Sequence, residues 1–193
     1  MLTQQFSRSG ILARQHGVNN LNYRRLFIPN SYVFLTIITN NRRKILIQNI
    51  SLLRESFKNT KKNYHFEIFA MVVLPDHFHV LVKPKDIHEY PKIISSIKHY
   101  FSRKFNVVGQ VCPTYDRNKG IWQRRYHEHT IRDEDDLYKH LDYIHYNPVK
   151  HGYIKSVKDW EYSSFEKFVK RGNYELNWGS AQDIEKIKDL DYE

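Results

Sequence analysis

Two histidines one residue apart, His77 and His79, lie in the run Leu74-Pro75-Asp76-His77-Phe78-His79-Val80-Leu81-Val82-Lys83-Pro84. Alternate side chains of a β-strand share a face, so both imidazoles point one way and Phe78 the other. Two neutral imidazoles side by side are half of a divalent-metal site. Further on, Asp142-Tyr143-Ile144-His145-Tyr146-Asn147-Pro148 sets a phenol and a carboxamide four residues apart, which on a helix lie one above the other. Metal ligands with a tyrosine point to phosphoryl transfer. A phenol with a pKa of about 10 is a poor nucleophile at neutral pH, so a catalytic tyrosine needs a metal or basic groups beside it.

On a helix from Asp136 to Asn147, the side chains of His140, Tyr143 and Asn147 share one face at i, i+3 and i+7, and that face is expected to cross the sheet beside His77 and His79. Asn147 reads in two ways, as a third ligand through its carboxamide oxygen or as a helix C-cap ahead of Pro148. A rival imidazole pair, His127 and His129, has the same spacing. Spacing does not choose between the pairs, but a polar face inside the apolar strand around Phe78 needs a reason, so the metal is assigned to His77 and His79.

The elements that must position these residues follow from periodicity. Tyr32–Thr39 is aromatic and β-branched and reads as a strand. Ile47–Asn63 has helical spacing, His65–Leu74 and His77–Lys83 read as strands joined through Pro75-Asp76, and Ile87–Phe105 as a second helix. A further short strand around Ile121–Ile131 precedes a third helix, opened by Asp133-Glu134-Asp135-Asp136 and ended by Pro148. The order β-α-β-β-α-β is the split βαβ pattern of ferredoxin-like domains, an α+β sandwich of an antiparallel sheet with helices on one or both faces. The chain divides into a basic arm (1–31), a catalytic domain (32–152) and an extension packed through Trp160, Tyr162, Phe165 and Phe168 (153–193).

Composition bounds the partner. The chain has 193 residues, 40% hydrophobic and 15% aromatic, which argues against a disordered protein. Its formal charge of +10 favours a polyanion. No acidic residue precedes Glu55, whereas Asn173 to Glu193 carries a net −4. That acidic tail is either a solvated helix or a segment that folds over a basic groove. The single Cys112 excludes an internal disulfide and fits a reducing cytoplasm. No run approaches the roughly 20 apolar residues of a membrane-spanning helix, so no membrane partner is expected. Asn22-Tyr23-Arg24-Arg25, Asn40-Asn41-Arg42-Arg43-Lys44 and Trp122-Gln123-Arg124-Arg125-Tyr126 interleave cations for phosphates with rings that stack on unpaired bases.

Several ordered blocks resemble the REP-associated tyrosine transposases of the HUH single-tyrosine superfamily, which includes the IS200-like transposases. They are Leu35-Thr36 through Asn40-Asn41-Arg42-Arg43, Val73-Leu74-Pro75-Asp76-His77-Phe78-His79, Ile121-Trp122-Gln123-Arg124-Arg125 with Glu128-His129, and His140 through Gly152, continuing to Trp160 and Ser163-Ser164-Phe165. The resemblance implies a divalent ion, Mg²⁺ or Mn²⁺, held by His77 and His79 with Asn147 as third ligand, and Tyr143 as the nucleophile that forms a 5′-phosphotyrosine. It further implies single-stranded or hairpin DNA as partner, read by Tyr23 and Trp122 and clamped by Arg24, Arg25, Arg42, Arg43, Arg124 and Arg125. A monomer is expected rather than a homodimer, in the cytoplasm and on the nucleoid when bound. Two other readings stay open, a catalytically idle hairpin-binding module and a phosphodiesterase that uses water.

Overall fold

The computed structural model describes residues 25–107 and 120–179. Tyr23, Arg24, Cys112 and the acidic tail beyond Gly179 lie outside the described residues. Four strands, β1 (Val33–Ile38), β2 (Phe66–Val73), β3 (His77–Pro84) and β4 (His127–Thr130), form an antiparallel sheet in the order β2-β3-β1-β4. Helices α1 (Ile50–Thr60) and α2 (Tyr90–Val107) complete the expected α+β, ferredoxin-like order. Helix α3 (Glu134–Lys150) and the short α4 (Phe165–Lys170) follow.

Strand alternation divides the core in two. Val33, Leu35, Ile37, Phe78, Val80 and Val82 pack with Phe57, Ile93, Ile97 and Phe101 of α1 and α2. On the other face Phe34, Val72 and Leu81 pack with Leu141, Tyr143 and Ile144 of α3 and Phe168 of α4. Since Phe78, Val80 and Val82 face α1 and α2, the residues between them, His77 and His79, face α3.

Three elements differ from expectation. The strand expected around Ile121–Ile131 is regular only over β4, because Thr39 opposes Trp122 while Thr36 opposes His127, so three steps of β1 face five of its neighbour. The surplus residues bulge out at Gln123-Arg124-Arg125, where both arginines are exposed. The first helix spans Ile50–Thr60 and not Ile47–Asn63, and a turn held by Asn49 Nδ2 donating to the Ile45 carbonyl at 2.8 Å precedes it. Pro148 does not end α3 but sits inside its last turn. Proline removes one backbone donor, yet the ladder resumes as His151 N–H donates to the Asn147 carbonyl at 3.0 Å. The helix ends instead at Lys150, just before Gly152, whose φ of +70° lies in the left-handed region that favours glycine.

The segment after Gly152 covers the free edge of β2 and the back of α3. Val73 N–H donates to the Tyr162 carbonyl and Ser164 N–H to the Met71 carbonyl, each at 2.8 Å, and the Trp160 indole donates to the Val73 carbonyl at 3.0 Å. Otherwise unpaired edge groups are thereby satisfied. From α3, His145 Nε2 bonds Ser164 Oγ at 2.9 Å, and the Tyr174 hydroxyl donates to Asp142. No helix among the described residues is long and apolar enough to cross a membrane.

Burial pushes the His145 imidazole down to about 3. The ring is neutral when folded and takes up a proton in the unfolded chain near the ordinary value of 6.5. Its contribution to stability is therefore complete above pH 6.5 and is lost as pH falls toward about 3, by up to about 1.4 kcal/mol per unit. Urea unfolding at pH 7.5 and pH 5.0 should show this loss, and His145→Gln should reduce it by about 2 kcal/mol.

Candidate active site

The register that pairs β1 with β3 sets Thr36 opposite His79 and Ile38 opposite His77. Thr36 Oγ1 and His79 Nδ1 are 2.9 Å apart. His77 Nδ1 bonds Asp76 Oδ1 at 2.7 Å. With Nδ1 of each ring engaged, Nε2 is the nitrogen available to a ligand, and the hydrogen bonds set the orientation of both rings. The two imidazoles meet edge to face with centroids 4.9 Å apart, and both are buried.

Asp76 did not enter the sequence-based site, although it lies within the motif. Burial alone would raise its carboxyl, but the hydrogen bond and charge of His77 and the Arg42 guanidinium outweigh burial and hold it below the ordinary carboxylate range. Arg42 reaches Asp76 Oδ2 at 3.4 Å from a turn in which Asn41 and Arg42 both take positive φ, 57° and 48°.

Helix α3 brings Tyr143 to the same place. Its ring stands edge-on to His79 at 5.1 Å between centroids and edge-on to Phe34 at 6.0 Å. Tyr143 is only 1% exposed. Lys150, two turns on, places Nζ 4.9 Å from the centroid of the tyrosine ring and 3.5 Å from its hydroxyl. Sequence reading passed over Lys150, though its i+7 spacing from Tyr143 was a usable signal. His151 adds a ring 5.2 Å from that of His77. Asn147 is fully buried, and neither its Oδ1 nor its Nδ2 makes a hydrogen bond among the described residues. An amide in that state is normally satisfied by a partner, which fits a ligand role better than a C-cap.

The remaining expected residues scatter. His140 shares the α3 stripe with Tyr143 but meets His129, not the His77–His79 pair, with centroids 4.5 Å apart. Burial pushes His140 down to about 4. Trp122 is 7% exposed, packs against Phe78 and Phe101, and donates Nε1 to the Lys98 carbonyl. The expected base-stacking Trp122 is thus a core residue with little ring surface to offer. Arg25 pairs with the buried Glu128 at 2.9 and 3.2 Å, so its expected charge for a phosphate is already engaged within the chain. Arg124 lines a cleft of about 410 Å³ with Lys98, His99 and Tyr126. Arg43 has one terminal nitrogen, Nη2, buried without a hydrogen bond among the described residues.

Against known proteins, the family described as "Transposase IS200 like" matches residues 27–147. The chain is 43% identical over 175 residues to a protein of Haemophilus influenzae, spanning 86% of this chain and 97% of the relative. It is 37% identical over 158 residues to one of Escherichia coli K12, spanning 81% and 89%. Both relatives carry REP-associated tyrosine transposase in their names. The chain belongs to this family of IS200-like transposases. Its fold superposes with a TM-score of 0.74, at 34% identity over 88% of this chain and 94% of the other, on a REP-associated tyrosine transposase bound to a REP hairpin. The family match ends at Asn147, so Lys150 and His151, both turned toward the site, lie beyond it.

Proposed function

We propose that this transposase is a DNA endonuclease and strand transferase that binds single-stranded or hairpin DNA and cuts it through a 5′-phosphotyrosine on Tyr143. The observation that carries the reading is the contact of the Tyr143 ring with His79, 5.1 Å between centroids, on the sheet face that also holds His77. The hairpin-bound relative supports the DNA partner.

Residues fitted to a divalent ion, Mg²⁺ or Mn²⁺, are His77 and His79 through Nε2 and Asn147 through its orphaned amide oxygen. When bound, such an ion supplies positive charge that makes a phosphodiester more susceptible to attack. The chain's own groups do the rest. The Tyr143 oxygen attacks phosphorus, the bond from phosphorus to the 3′-oxygen breaks, and one phosphodiester replaces another. The phenolic proton goes to solvent and the departing 3′-oxygen takes one up, so no net proton is consumed. Resealing on a different 3′-hydroxyl is strand transfer.

Lys150 places a cation where negative charge develops on the phenolic oxygen and where phosphate must arrive. Because Lys150 is exposed, its side chain can swing aside for the incoming strand and uncover the Tyr143 hydroxyl, which is buried in the absence of that strand. Arg42, Arg43, Arg124 and Arg125 are the phosphate clamps within the described residues. Helix α3 seats Tyr143 on the sheet of its own chain, which favours a monomer over exchange of helices between copies.

With Mn²⁺ and a labelled hairpin carrying a single-stranded flank, a covalent adduct that survives denaturing gel electrophoresis is expected, and Tyr143→Phe should abolish it. Cleavage retained in that variant would mean a water-using phosphodiesterase, and binding without cleavage an idle hairpin-binding module. Lys150→Met is expected to slow single-turnover adduct formation about 100-fold with DNA affinity within about threefold, and Lys150→Arg to recover most of the rate. Asp76→Asn should raise the Mn²⁺ concentration for half-maximal rate about 10- to 100-fold, because the carboxylate orients His77.

A further inference from the structure

His129, the rival histidine, has a place of its own. The β1–β4 register sets it opposite Phe34, on the α3 side of the sheet. There its Nε2 lies 2.7 Å from Asp136 Oδ2, and one turn further along α3 His140 Nδ1 lies 3.1 Å from Asp136 Oδ1. The two imidazole planes are within 15° of parallel. One ligand atom from each of His129, Asp136 and His140 falls within 4.8 Å of the other two. Nitrogen and oxygen ligands about 2.0 to 2.1 Å from zinc, at the tetrahedral angle, lie about 3.3 Å apart. The two imidazole–carboxylate separations are therefore near ligand spacing already.

We propose that His129, Asp136 and His140 form a second divalent-metal site, of zinc class, distinct from His77 and His79. Phe34 stands between the two places, its centroid 5.6 Å from that of His79 and 4.8 Å from that of His140. Two imidazoles and one carboxylate suit Zn²⁺ with water in the fourth position. Hydrogen bonds preassemble the cluster. Asp136 Oδ2 accepts from the Arg132 N–H at 3.0 Å and Asp136 N–H donates to Asp133 at 2.8 Å, whereas the hydrogen bond of His140 Nδ1 to the Asp136 carbonyl, 2.7 Å, is exchanged for the ion. On binding, each imidazole coordinates through the nitrogen now facing Asp136, and its proton resides on the other ring nitrogen. Side-chain exposures of 22% at His129 and 19% at Asp136 give an ion a way in, while His140, at 1%, forms the floor. The ion would clip β4 to the first turns of α3, through Asp136 two turns and His140 one turn before Tyr143. This site requires neither DNA nor the proposed strand-cutting reaction.

The test uses untagged full-length protein, stripped with chelator and dialysed against micromolar Zn²⁺, with bound metal counted by plasma mass spectrometry. His77→Ala/His79→Ala should retain one zinc per chain and show a thermal midpoint that rises with zinc. Adding His129→Gln, a substitution at a partly exposed position, should remove both the zinc and the rise. In the wild-type background the same substitution should lower the zinc count by one per chain. Absence of zinc from the double variant, or an undiminished count after His129→Gln, overturns the site. Should the triple variant fail to fold, Co²⁺ in the double variant decides: intense tetrahedral absorption bands support the site, and the spectrum of the aqueous ion overturns it.

Discussion

The structure depends on the register that sets Thr36 opposite His79. Side chains along a strand alternate with period two, so a slip of one residue would send both imidazoles into the layer of Phe57, Phe101 and Trp122 and bring Phe78 to face α3. Such a slip would bury two polar rings among apolar groups and strip one core face of its aromatic filling, so the hydrophobic pattern itself holds the histidines in place. The same register carries β4 with it, which puts His127 beside Thr36 and His129 beside Phe34. Every imidazole of the two strands therefore lies on the side that α3 covers.

Helix α3 answers this surface with one polar stripe, Asp136, His140, Tyr143, Asn147 and Lys150, spaced by three or four residues. Its apolar neighbours Leu141 and Ile144 seat it on Phe34, Val72 and Leu81, so polar stripe and sheet histidines close on each other at a seam that is largely buried. A helix carrying so many polar groups inward is secured from outside. His145 and Asp142 bond to Ser164 and Tyr174 of the extension, which itself completes the edge of β2. Through these bonds the described part of the extension supports the site from outside, and Gly152 makes the reversal that lets it return.

Charge follows the same division. Arg25 and Glu128 neutralise one another near Tyr90 and Tyr126, on the face opposite the tyrosine helix. Around the histidines, Arg42 and Lys150 each touch a group with a stated part in the site, Asp76 and Tyr143 respectively. An arginine's sequence neighbours do not tell these two fates apart, because the partner comes from a strand about a hundred residues away, as for Arg25 and Glu128.

By itself the sequence determined the kinds of element and their order, the common face of His77 and His79, and the alignment of Tyr143 with Asn147. These are consequences of local periodicity, two residues in a strand and 3.6 in a helix, and need no knowledge of the rest of the chain. Only the tertiary structure decided who meets whom. It made Trp122 a core residue, drew His140 to His129, and carried α3 through Pro148. Those outcomes rest on long-range register, on a bulge at Gln123-Arg124-Arg125 and on packing that outweighs the local preference of a proline, and none of the three has a signature within a few residues of sequence.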